Sequence, residues 1–117
     1  MEDCKDLDIL SVTTTVGSVA DARALAGAIL ERRLAACVQV EEGLVSVYRW
    51  QGEVQQEAEE QMVIKTTADR LADLEARLRQ LHSYELPEFL VISADASSEA
   101  YLKWVGASTH EVSERRV

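Results

Sequence analysis

Proline occurs once in these 117 residues, cysteine twice, and aromatic side chains make up only 5% of the chain. Cys4 lies in a polar stretch and Cys37 beside an apolar one, so the pair makes no disulfide framework and suits a reducing compartment. No apolar run approaches the roughly 20 residues of a membrane-spanning helix. The opening Met1-Glu2-Asp3-Cys4-Lys5-Asp6 lacks a signal-peptide pattern. The expectation is a cytoplasmic chain with no membrane insertion. Basic residues are scarce as well: 12 Lys and Arg stand against 21 Asp and Glu, a formal charge of -9. A nucleic-acid partner requires a basic face, and none is expected here. There is no glycine-rich phosphate loop. No nucleophile is spaced with a base and an orienting group, so an enzyme is not expected.

A hydrophobic fraction of 47% supports a globular core. The length suits one domain over 1–117, with an ordered core over about 8–106 and polar tails. Ile9-Leu10-Ser11-Val12-Thr13-Thr14 reads as a β-branched strand that Gly17 ends. Ser18 is placed to cap a helix whose apolar stripe is Ala22, Leu25, Ala26, Ile29, Leu30 and Arg33. A second strand runs from Ala36 to Trp50, with a bulge or bend at Gly43. Gln51-Gly52 is a tight hairpin turn, and the return strand reaches Thr66. Thr66 or Thr67 is placed to cap a second helix striped by Leu71, Leu74, Leu78 and Leu81. Phe89–Ile92 is a fourth strand, and Ser98–Val105 a short helix. The order predicts an α+β, ferredoxin-like βαββαβ sandwich with a short C-terminal helix.

Two features call for a partner. The strands read as apolar on both sides, whereas two helices cover only one face of a sheet. The hairpin arms are about three times the usual strand length, and a projecting two-stranded ribbon is marginal alone in water. A closed homo-oligomer in which each hairpin extends a neighbour's sheet answers both.

The densest cluster of functional groups is His82-Ser83-Tyr84-Glu85-Leu86-Pro87-Glu88, a helix-to-strand connection stiffened by the single proline. It reads either as a site or as a structural corner. This segment, together with Leu34–Val38, Ser46–Gly52, Ile64–Thr66 and Tyr101–Trp104, closely resembles CutA, the divalent-cation-tolerance protein family, over roughly residues 8 to 109. The resemblance implies a homotrimer similar in architecture to the PII signalling proteins, an association with tolerance to divalent cations, copper above all, and copper binding in some members. Two positions depart from the family pattern: Ser83 replaces a usual proline, and Glu53 a common lysine.

The candidate metal ligands are Cys37, His82, Glu85 and Glu88. Thiolate suits Cu(I), while imidazole and carboxylate suit Cu(II) or Zn(II). Against this, free cysteine commonly packs as a small apolar residue, and His82 is also placed to close a helix. Lys65 and Tyr84 are candidates for a ligand cleft. Lys65 is placed to attract an anion at a helix start or to pair with Glu85 or Glu88. Tyr48, Trp50 and Trp104 are candidate interface anchors; the alternative for Tyr48 and Trp50 is stacking on an aromatic or cationic ligand. Glu57, Glu59 and Glu60, with Glu41 and Glu42, form an acidic ribbon that reads either as oxygen ligands for a hard cation or, in preference, as a solvated face that discourages aggregation. The functional expectation is a trimeric metal-tolerance protein that binds copper or another divalent cation. The alternative is a PII-like sensor of a small ligand between subunits.

Overall fold

The computed structural model describes residues 8–110; Cys4 and most of both polar tails lie outside them. β1 (Ile9–Val16) buries Leu10, Val12, Thr14 and Val16, while Ser11, Thr13 and Thr15 between them are half-buried. The two-residue period of a strand thus assigns one side to the core and leaves a hydroxyl-bearing side opposite.

α1 (Val19–Glu31) starts where expected: the Ser18 hydroxyl accepts the Asp21 N–H at 3.0 Å. Ala22, Leu25 and Ile29 turn inward. Leu30 stays 41% exposed. Arg33, expected on the apolar stripe, instead lies past the helix in the left-handed region at φ 55°. There the Arg33 N–H bonds the Leu30 carbonyl at 3.0 Å and the Leu34 N–H bonds the Ile29 carbonyl at 3.1 Å, a Schellman closure that buries Leu34.

β2 (Cys37–Trp50) and β3 (Glu53–Thr67) form the long hairpin. Their register slips between Glu41 and Leu44, where Gly43 has φ 80°. Gln51 at φ 52° and Gly52 at φ 84° make the tip, a two-residue turn with both residues left-handed, which matches strand twist.

A 3-10 turn (Ala68–Arg70) leads into α2 (Leu71–Leu81). The expected threonine cap is not made. The Thr66 hydroxyl is buried and donates to the Leu34 carbonyl at 2.7 Å, and Thr67 donates to Asp69 at 2.7 Å. β4 (Leu90–Ser93) follows the corner. α3 (Glu99–Ser108) is capped by Ser98, whose hydroxyl accepts the Tyr101 N–H at 3.1 Å. It continues past Val105, where the sequence predicts its end, because Thr109 is fully buried and its hydroxyl donates to the Val105 carbonyl at 2.9 Å.

The sheet order is β2-β3-β1-β4, with every pairing antiparallel, as the ferredoxin-like expectation requires. Ala22, Leu25 and Ile29 of α1 and Leu74 and Leu78 of α2 meet Val12, Val16, Met62 and Ile64 in one core on one face. The other face is not closed over: Leu90 is 55% and Ile92 56% exposed beside the β1 hydroxyls. The hairpin draws the molecule out to 53 × 27 × 23 Å.

Candidate functional site

A cleft of about 790 Å³ opens between the outer hairpin and the corner that follows α2. Strand alternation builds one wall. Beyond the Gly43 bulge, Ser46, Tyr48 and Trp50 share a side of β2, facing the same way as Gln55, Glu57 and Glu59 of β3. The corner supplies the other wall through Tyr84, Glu85, Leu86, Pro87 and Glu88.

The two walls are tied by one short bond: the Tyr84 hydroxyl donates to Glu59 Oε2 at 2.7 Å. Burial, then this bond and the charge of Glu59, push the Tyr84 phenol well above its ordinary range. Tyr48 is pushed up too, first by hydrogen bonding to Glu57 and then by desolvation and nearby negative charge. Both phenols therefore act as neutral donors at physiological pH. Glu59 is only 6% exposed. No Lys, Arg or His among the described residues lies within salt-bridge distance of it.

His82 organises the corner. Its Nε2–H donates to the Thr15 carbonyl at 2.8 Å, and its Nδ1 accepts the Tyr84 N–H at 3.0 Å. Its ring lies 4.8 Å from that of Tyr84. With both nitrogens engaged, His82 as placed offers no lone pair to a metal. Glu88 accepts the Thr13 hydroxyl at 2.8 Å, and Glu85 is exposed. Cys37 is half-buried and lies opposite Lys65, while Thr15 lies opposite Gln61. Four residues of strand, roughly 13 Å, thus separate the Cys37 level from the His82 tie. Among the described residues no three His, Cys, Asp or Glu side chains converge to hold a metal ion.

Lys65 donates to Gln39 Oε1 at 3.1 Å and does not line the cleft, whereas Tyr84 does. Among the described residues Lys65 forms no ion pair with Glu85 or Glu88. Tyr48 and Trp50 are 37% and 38% exposed on the cleft wall. Trp104 is 48% exposed on α3, with its ring 5.6 Å from that of Tyr101. Glu59 is the residue the sequence conceals, since it reads as part of a solvated acidic ribbon. The available signal is parity: counted back from the two-residue turn, Glu57 and Glu59 fall on the face of Tyr48 and Trp50.

A second polar cluster lies at the far end of α3. His110 Nε2 and Asp69 Oδ2 are 2.7 Å apart, His110 Nδ1 is 2.7 Å from the Gly106 carbonyl, and the Thr67 hydroxyl donates to Asp69 Oδ1.

A family model described as CutA1 divalent ion tolerance protein matches residues 10–108. The divalent-cation tolerance protein CutA of Thermus thermophilus is 41% identical over 98 residues, covering 84% of this chain and 95% of that protein. The crystal structure of CutA1 from Oryza sativa superposes with a TM-score of 0.86 at 35% identity, covering 92% of this chain and 99% of that one. A CutA from Archaeoglobus fulgidus, described as periplasmic, gives a TM-score of 0.84 at 25% identity, with 87% and 99% coverage. A match that runs through β1, the hairpin, the corner and α3 places this chain in the CutA1 divalent ion tolerance family.

Proposed function

We propose that this protein acts in divalent-cation tolerance as a cytoplasmic homotrimer that binds copper or another divalent cation, without catalytic turnover. Family membership supports the role in metal tolerance. The assembly is supported by the shape of one subunit. Val45, Val47 and Val54 are 62%, 63% and 62% exposed on the projecting hairpin, and β2 and β4 are the sheet's edges. Apolar groups on a two-stranded ribbon need a neighbour to pack on.

Among the described residues a resident cation does not fit the donors of a single subunit, because His82 is fully engaged and no third ligand joins any pair. The donors we assign are therefore Cys37, Glu85 and Glu88, brought together only by symmetry between subunits. Tyr48, Trp50 and Trp104 are assigned as anchors of the same assembly. The free Cys37 thiol favours a reducing setting; the Archaeoglobus relative is described as periplasmic, so cell fractionation tests this part directly.

The function is tested by titrating copper into the oligomer against a competing chelator. Saturation at a fixed ratio, weakened in Cys37→Ala at unchanged oligomer mass, supports a shared cation site. Non-saturating uptake indifferent to Cys37, Glu85 and Glu88 refutes it, and a monomeric mass refutes the assembly.

The cleft favours a second reading, that of a sensor for a small ligand between subunits. Its 790 Å³ falls within the usual range for small-molecule sites, and its aromatic and polar walls suit one. A metabolite that raises the melting temperature in a saturable way supports this reading.

A further inference from the structure

We infer that the cleft binds an organic cation, a molecule carrying a protonated amine on an apolar body, with Glu59 as its counter-charge. The inference rests on the small-ligand reading and gives it a chemical class. Carboxylates alone do not make a site; here three separate observations converge.

The first is the state of Glu59. A carboxylate 6% exposed has lost most of its hydration, and a buried charge is costly unless a partner of opposite sign faces it. What Glu59 has is one neutral phenol, Tyr84, at 2.7 Å. The second is the makeup of the walls: Glu57, Glu59, Glu85 and Glu88 line the cleft, and among the described residues no Lys, Arg or His does. An anionic ligand would meet four carboxylates and no cation. The third is the aromatic surface. Tyr48, Trp50 and Tyr84 border the same space, and an aromatic ring face attracts a cation most strongly where water is excluded. A hydrated inorganic ion gains little from such faces, and no three donors converge on one point to strip its water. A cavity of 790 Å³ far exceeds the needs of a bare ion. An alkylammonium satisfies all three, with its N–H groups on Glu59 and its chain among the rings of Tyr48 and Tyr84.

The test is calorimetric titration of the purified oligomer in excess EDTA with three probes of equal length: hexylammonium, hexanol and hexanoate. The expected result is saturable binding of hexylammonium, with hexanol and hexanoate weaker by roughly tenfold or more. Glu59→Gln should weaken hexylammonium by about tenfold at unchanged oligomer mass. Where Glu59→Gln fails to fold, the exposed Glu57→Gln and the three-probe comparison on the unmodified protein decide the matter. Hexanol or hexanoate binding saturably and as tightly as the amine overturns the organic cation while leaving the small-ligand cleft standing. Hexylammonium that binds indifferently to both Glu59→Gln and Glu57→Gln, or does not bind at all because a neighbour's basic side chain fills the place, overturns the inference.

Discussion

His82 and Thr15, 67 residues apart in the chain, are joined by a 2.8 Å hydrogen bond from imidazole to carbonyl. The ring's other nitrogen takes the Tyr84 N–H, so one side chain pins the corner to β1. His82→Ala leaves these backbone groups without partners. The expected loss is about 1–3 kcal/mol of unfolding free energy, read by denaturant titration. Copper affinity, measured against a chelator, should not change. A large loss of copper affinity at undiminished stability would restore His82 as a ligand.

Tyr84→Phe removes the one hydroxyl bonded to buried Glu59. Stability should fall by about 1–3 kcal/mol at neutral pH. The Glu59→Gln change should recover part of that loss in the double variant, because an amide is less costly to leave unpaired than a carboxylate. A double-mutant cycle measures the coupling, and additive effects would show that the bond contributes nothing.

The contact between His110 and Asp69 sets a pH window. Burial alone lowers the His110 value, but the Gly106 carbonyl and then Asp69 outweigh it, and the imidazole is raised above its ordinary 6.5. Burial likewise opposes Asp69, but Thr67 and His110 bring it below its ordinary 3.8. A raised histidine adds stability that is complete below 6.5 and lost as pH rises through its folded value; a lowered aspartate adds stability that is complete above 3.8 and lost as pH falls through its own. The pair therefore contributes most between those two values. The difference in melting temperature between the parent protein and His110→Gln should peak in that window and shrink on both sides. A flat difference from pH 4 to 9 would show that the contact does not titrate as described.

Two glycine replacements should act in opposite directions. Gly27 lies within α1, is exposed, and an added Cβ there meets nothing within 4 Å. Gly27→Ala should stabilise by about 0.5–1 kcal/mol through reduced freedom of the unfolded chain. Gly43 also has open space, but its φ of 80° is strained for any residue with a Cβ. Gly43→Ala should cost about 1–2 kcal/mol. Thermal unfolding of both variants checks the pair, and equal signs would contradict it.

The alternation of β1, the Ser18 cap, the leucine stripe and the Gln51-Gly52 turn are all local, and local patterns can be read from sequence. So the order of elements and the ferredoxin-like topology were legible, as was the bulge at Gly43. Arg33 was misassigned because a left-handed helix ending at a non-glycine residue carries no composition signal. The Thr66 and Thr67 hydroxyls were misassigned because their partners, Leu34 and Asp69, were not visible as competitors for the cap. Of the site, the corner was legible as a cluster and Tyr84 as a member. Lys65 was not separable from it, and the burial of Glu59 was hidden. Those depend on which strands end side by side, a long-range outcome that residue spacing does not encode.

The sheet has an unpaired strand on each side, β2 at one margin and β4 at the other. Copies that join margin to margin meet through two different surfaces, and such head-to-tail joining either closes into a ring or runs on as a filament. Which of the two occurs depends on the rotation from one copy to the next. In an assembly joined this way, the backbone bend at Gly43, which sets the direction of the outer hairpin, would be one determinant of that rotation. A change there would act on that rotation as well as on the stability of a single copy.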